Sequence, residues 1–338
     1  MKTTPKSKDI TLGIGKVPER VLERAVLRQI SVTRPEVILG AGVGEDCGVL
    51  RIGDDEDIVL SSDPITAAAS DIGDLAITVS VNDLASSGAE PIGFMVTALL
   101  PPDTMESELR AIMLQIDEAC KKAGAPVVGG HTEVTDVVKV PVLSVTAVGK
   151  VRRGKLITTA GIRPGMDLVV TKWIGLEGTS IIAKENEAEL LERFSSSLIS
   201  EAKDFDKYIS VQKDGAVAAA AGACAMHDVT EGGILGALWE MGAAGGVGIR
   251  VEMDAIPVRQ ETIEICEYFD INPYKLISSG SMLIACDNGG HMVRALEEAG
   301  IPASVIGLAT EGPDRIVLYD GVEKYLTPPE PDEIHRVL

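Results

Sequence analysis

An α/β protein of two domains is what this sequence predicts, and three observations carry the prediction. Short Val-, Ile- and Leu-rich runs alternate with amphipathic stretches almost from end to end. Aromatic residues are only 3% of the chain while glycines number 35, so the cores must be built from Val, Ile, Leu and Ala around Gly turns. The length, 338 residues, exceeds what one compact core usually holds. Breakers and basic residues gather in VRRGKLITTAGIRPG at 151–165, which divides the chain into domains 1–152 and 153–338.

In the first domain, apolar runs bounded by Gly, Pro or Asp predict strands at 47–52, 57–62, 93–99 and 139–149. Between them, SDIGDLAITVSVNDLASSGAEP (70–91) reads as a helix with Ile72, Leu75, Ala76 and Val79 as its apolar stripe and Gly88 and Pro91 as its stop. Asp103 and Glu106 resemble a capping box, after which Leu109, Ile112, Met113, Ile116 and Cys120 keep helical spacing until Gly124 and Pro126. In the second domain strands are expected at 166–172, 248–253 and 281–286. Helices are expected at 184–207, 213–223, 230–244, 259–269 and 290–299. The Pro-rich tail TPPEPDEIHRVL is expected to be extended.

Composition excludes several functions. Lys and Arg total 31 against 51 Asp and Glu, a formal charge of −20. Such a surface repels phosphate backbones, and no basic run offsets it, so a nucleic-acid partner is not expected. Hydrophobic residues at 45% rule out disorder as a description of the whole. No stretch supplies the roughly 20 apolar residues of a membrane span. The opening MKTTPKSKDI has no apolar run after its basic residues, so it is not a secretory signal. A cytoplasmic protein with no membrane partner is the expectation. Five cysteines without a CxxC pair suggest neither zinc nor a redox dithiol, and Cys120 and Cys266 read as buried thiols.

Carboxylates stand where a core should be. In the 70–91 helix, the apolar stripe continues into Asn82, Asp83 and Ser86. These residues either cap the helix end and meet solvent, or face a cation or donor, because a lone buried carboxylate costs several kcal/mol. Asp46 sits in a Gly-flanked turn before one strand, and Asp63 at the end of another, where acids also serve as turn formers. Oxygen-only clusters suit a hard cation such as Mg²⁺, which recruits substrate phosphates as further ligands.

Amide donors for a phosphate have three candidate sources. VVGGHTEVT places Gly129 and Gly130 after an apolar run, where exposed backbone N–H groups can approach a ligand. TLGIGK is a second short Gly loop with Lys16 beside it, and it does not match a Walker A sequence. MHDVTEGG places Asp228 and Thr230 before two glycines and a helix, a phosphate-attracting terminus or an ordinary N-cap.

In order, GEDCGVL (44–50), SSDPIT (61–66), GDLAITVSVNDLASSGAEP (73–91), VVGGHTE (127–133), RPGMDLVVTKWIG (163–175), HDVTEGGILGALWEM (227–241) and ISSGSMLIA (277–285) resemble the aminoimidazole-ribonucleotide (AIR) synthetase superfamily. Its members include thiamine-monophosphate kinase, selenophosphate synthetase and a hydrogenase maturation factor, and HDVTEGG with VGIRVEMDAIPVR points toward the last branch. The resemblance implies an AIR synthetase-like fold: an N-terminal mixed sheet that pairs into a dimer barrel, and a C-terminal α/β sandwich. It implies ATP bound with Mg²⁺. By motif, Asp46, Asp63 and Asp83 would be metal ligands, with Asn82 nearby. Gly129, Gly130 and Thr132 would lie near the phosphates, and Asp228, with Thr230 after it, would belong to the metal or phosphate site.

Where the thiamine kinase and hydrogenase branches have Asp, this chain has His131, which donates to phosphate, moves a proton, or is a simple structural donor; with Lys16 it is the candidate catalytic group. The hydrogenase branch ends in a cysteine carrying a carbamoyl group, whereas this sequence reads His335-Arg336-Val337-Leu338, so the resemblance does not extend to that thiol. The implied activity is ATP-driven phosphorylation or activation of an oxygen on a small acceptor, amide or carbamoyl in type, with ADP released. The alternatives are a small-molecule kinase and a non-catalytic nucleotide-binding maturation partner. A homodimer and a maturation-type protein partner are expected.

Overall fold

The computed structural model describes residues 19–25, 27, 35–40, 42, 44, 45, 47–66 and 71–338. Lys16 and Asp46 lie outside the described residues. A short helix α1 (Glu19–Ala25) precedes a first sheet of β1 (Val37–Leu39), β2 (Gly48–Arg51), β3 (Glu56–Ile65), β4 (Glu90–Leu100), β5 (Val127–Val134) and β6 (Val142–Arg152). Its order is β1-β2-β3-β6-β4-β5, antiparallel except for the parallel β4–β5 pair. Helices α2 (Ile72–Ser86) and α3 (Glu106–Ala123) cover one face. The opposite face, with Ile58, Leu60, Thr146 and Met95, is left half-buried or exposed.

The core face of α2 is Ile72, Ala76, Ile77, Val81 and Leu84, packed with Phe94, Leu143 and Val145. The expected members Leu75 and Val79 are only half-buried. The stripe is rotated because α2 is buried on two sides. Ala85, near its end, joins a cluster with Val211 and Met226 of the second domain. The cap of α3 also differs from expectation: Met105, not Asp103, precedes the helix and donates its N–H to Glu108 Oε2 at 2.6 Å.

The second sheet comprises β7 (Asp167–Thr171), β8 (Ala225–Val229), β9 (Gly248–Glu252), β10 (Ser281–Cys286), β11 (Ala303–Thr310), β12 (Arg315–Tyr319) and β13 (Val322–Tyr325), in the order β13-β12-β9-β11-β7-β10-β8. Its intervening helices are α4 (Leu176–Glu185), α5 (Glu187–Leu190), α6 (Ser196–Lys203), α7 (Gln212–Ala220), α8 (Gly233–Gly245), α9 (Gln260–Tyr268) and α10 (Gly289–Glu298). Helix α8 packs one face through Ile234, Leu238 and Met241, while α7 and α10 pack the other through Ala218, Met292 and Leu296. This is the expected α/β sandwich. The single helix expected at 184–207 is three, because Asn186 ends α4 and Ser195 caps α6, its hydroxyl accepting the Leu198 N–H at 3.3 Å. Among the described residues no helix is long and apolar enough to cross a membrane.

Candidate functional site

The alternation of a strand puts Ser61 and Asp63 of β3 on the face that α2 covers, together with buried Val59. Asp83, 6% exposed, descends onto them from the last turn of α2. Ser61 Oγ donates to Asp83 Oδ2 and stands 3.2 Å from Asp63 Oδ2. A hydroxyl has one proton and serves one carboxylate at a time, so two acids this close favour a cation beside them. Cys47 donates from Sγ to the Asp83 carbonyl at 3.2 Å, which sets the start of β2 against this end of α2.

Asn82 and Ser86 are buried too, and the reading in which this face meets solvent is set aside. Asn82 turns to the second domain: Nδ2 donates to the Ile209 carbonyl at 2.9 Å, and Oδ1 accepts the Val211 N–H at 2.8 Å. The same segment is held from the other side by Lys172, whose Nζ reaches the carbonyls of Tyr208 at 3.1 Å and Ser210 at 2.7 Å and Asp214 Oδ1 at 3.1 Å. Burial lowers the Lys172 pKa, with Asp214 opposing. Asn82 thus joins the domains at the carboxylate site.

Asp228, 1% exposed, lies on β8 two residues from Met226, hence on the strand face that packs toward Ala85 of α2. The second domain therefore delivers a carboxylate toward the same end of α2. Neither Asp228 nor Thr230 caps α8. The cap is Gly232, whose N–H donates to Asp332 Oδ2 at 2.7 Å. Asp332 Oδ1 also accepts the N–H groups of Ile277 at 3.1 Å and Ile334 at 2.9 Å. A carboxylate from the tail thus takes the place a phosphate would have at this helix terminus.

The remaining candidates are not gathered here within one chain. Gly129, Gly130, His131 and Thr132 belong to β5, a strand rather than a loop, exposed along its length. Gly130 is needed for the close approach of β4: a Cβ there would lie 1.9 Å from the Val96 carbonyl oxygen. In register, Pro64, Ser144, Thr97 and His131 form one row across the sheet, so three strand spacings, about 14 Å, separate β3 from β5. His131 is exposed, with Nε2 3.0 Å from Glu133 Oε2.

Ser61, Lys172, Asp214, Glu177 and Asp332 were not anticipated. Ser61 stands two residues before Asp63, the one signal available; Lys172 ends an apolar run, and Glu177 lies between glycines in IGLEGTSII.

Two α/β halves, one with its sheet covered on a single face and the other a sandwich, with carboxylates at their junction, define a class of two-domain proteins. The chain belongs to the AIR synthase related protein family. The family's N-terminal domain matches residues 44–151 and its C-terminal domain residues 163–320. A hydrogenase expression/formation protein of Methanocaldococcus jannaschii is 29% identical over 88% of this chain and 89% of its own length. Carbamoyl dehydratase HypE of Cupriavidus necator is 28% identical over 66% of this chain and 62% of its own length. Among solved structures, a HypE-HypF complex is similar with TM-score 0.74 at 19% identity, over 91% of this chain and 99% of that one. AaThiL complexed with AMPPCP and TMP gives TM-score 0.72 at 20% identity, over 94% and 99%. HypE in complex with ATP gives 0.69 at 19%, over 94% and 96%.

Proposed function

We propose that this chain is a Mg²⁺- and ATP-dependent enzyme that phosphorylates or otherwise activates an oxygen on a small amide- or carbamoyl-type acceptor and releases ADP. The observation that carries the reading is the Asp63–Ser61–Asp83 constellation at the domain junction. Its oxygen-only donors fit a hard cation, with Asp46 and Asp228 as further ligands. Bound there, Mg²⁺ would offset the charge of the phosphates, which a chain of formal charge −20 otherwise repels. Asp63 and Asp83 hold that ion, and Asn82 fixes the second domain against it. The similarity to HypE, solved with ATP, and to carbamoyl dehydratase HypE supports both nucleotide and acceptor.

The enzyme acts as a homodimer in this reading. Val127, Val128 and Val134 are exposed on β5, the edge strand of this sheet among the described residues, and the sheet face beside it carries exposed Ile92 and Met95. A second copy covering this face would bring Gly129, Gly130, His131 and Thr132 to a shared site, with His131 as donor or proton carrier. A maturation-type protein partner is supported by the likeness to the HypE-HypF complex. A cytoplasmic location accords with this role.

Acceptor-dependent ADP release tests the proposal, with a phosphate-free carbamate ester and a primary amide as acceptors. Phosphorus NMR separates it from the second reading, a small-molecule kinase, which the likeness to AaThiL favours. Inorganic phosphate in the products supports acceptor activation, and a stable phosphoester supports the kinase. ATP bound without turnover on any acceptor would leave a nucleotide-binding partner protein.

A further inference from the structure

Lys172 occupies a backbone position that suits glycine. It follows the last residue of β7 with φ 55°, in the left-handed region that is costly for a residue with a side chain. Its side chain is only 9% exposed, so an ammonium group is buried as well. Backbone strain and a buried charge persist together only where surrounding contacts over-determine them.

Those contacts converge on one segment. Lys172 Nζ has three protons and faces three acceptors: the Tyr208 carbonyl at 3.1 Å, the Ser210 carbonyl at 2.7 Å and Asp214 Oδ2 at 3.3 Å. Asn82 takes the alternate residues of the same segment, the Ile209 carbonyl and the Val211 N–H. Residues 208–211 are thus gripped from two sides, by a cation of the second domain and an amide of the first. The first turn of α7 presses on the same end of α2: a Cβ at Gly215, next to Asp214, would lie 2.5 Å from the Ala85 carbonyl oxygen. Asp83 stands between Asn82 and Ala85, so both sides of its turn meet elements that Lys172 holds.

We propose that Lys172 is a positioning residue for the divalent cation: it holds 208–211 so that Asn82 keeps Asp83 beside Ser61 and Asp63. The proposal rests on the Mg²⁺-ATP reading of that site. A carboxylate displaced by loosening of the segment would still bind Mg²⁺, more weakly, because the ion demands near-ideal geometry. Excess metal should therefore compensate for the loss of Lys172.

Lys172→Met removes the donors and leaves Asp214 buried without its cation, which is strongly destabilising. Lys172→Met/Asp214→Asn removes both charges and still leaves the Tyr208 and Ser210 carbonyls without their donor. Calorimetric titration of ATP into the full chain over a series of Mg²⁺ concentrations compares the wild type with both variants, circular dichroism showing that they fold. The expected result is at least ten-fold more Mg²⁺ for half-maximal ATP binding, with ATP affinity at saturating Mg²⁺ within about three-fold of the wild type. Asn82→Ala should raise the Mg²⁺ requirement likewise. Added to the double variant it should raise it less than two-fold further, since both act through one segment. A merely structural lysine would lower the number of sites per chain and leave the Mg²⁺ requirement unchanged. That result in the double variant would overturn the proposal and leave the Mg²⁺-ATP reading intact. A double variant that fails to fold would overturn it too, since the lysine would then serve folding itself. Wild type that binds ATP without Mg²⁺, or not at all, would overturn that reading and this proposal with it.

Discussion

The Asn82 side chain of the first domain and the Ile209 carbonyl of the second are joined by a buried hydrogen bond of 2.9 Å, beside which Asn82 Oδ1 accepts the Val211 N–H at 2.8 Å. One side chain thus satisfies an acceptor and a donor of the other domain. Asn82→Ala leaves both buried and unpaired, at about 1–3 kcal/mol each. The expected loss is about 2–6 kcal/mol in the urea midpoint analysis, with loosened domain contact read as faster amide exchange at Val211.

Burial pushes the Glu177 carboxyl up to about 7, with Asp332 adding to the rise and Ser279 opposing it. A carboxyl raised in the folded state favours folding when protonated. Its contribution is full below the reference value of 4.5 and is lost as pH rises through 7. The shift corresponds to at most about 3 kcal/mol. The stability of the wild type relative to Glu177→Gln should therefore fall between pH 5 and pH 8, as thermal melts of the pair across that window would show. A constant difference would place the carboxyl in solvent.

Asp332 accepts three backbone N–H groups, from Gly232, Ile277 and Ile334, and is 2% exposed. Asp332→Ala leaves all three donors without their acceptor and should cost about 3 kcal/mol or more. Hydrogen exchange should accelerate at Gly232 and Ile277 together, since one carboxylate protects both.

Gly130 has φ 150°, and a Cβ would meet the Val96 carbonyl at 1.9 Å. Gly130→Ala should displace β5 from β4. If β5 forms the dimer edge, the variant elutes as a monomer in size-exclusion chromatography while its far-ultraviolet dichroism stays near that of the wild type.

The sequence made part of this visible. Strand 281–286 is bounded in the structure as its apolar run suggests, because it is buried on both faces and every residue is apolar or small. The carboxylates Asp63 and Asp83 were visible because each interrupts an apolar pattern. β5 was hidden: VVGGHTEV has two glycines and no alternation, and its parallel pairing with β4, for which Gly130 leaves room against Val96, makes it a strand. β8 was hidden for the opposite reason, since His227 and Asp228 put polar groups in a strand whose burial is complete. The His227 ring stands 3.0 Å from Glu240 on α8, a partner no local pattern indicates. Asp332 is more remote still. Its acceptance of Gly232 spans 100 residues, and the tail PPEPDE gives no sign of it.

The most direct test is calorimetric titration of ATP into the wild type, Asp63→Asn and Asp83→Asn, each with Mg²⁺ and with EDTA. The prediction is ATP binding to the wild type that requires Mg²⁺ and weakens at least ten-fold in both variants. Equal affinity in EDTA, or in either variant with Mg²⁺ present, would contradict a metal-bridged nucleotide site between Asp63 and Asp83.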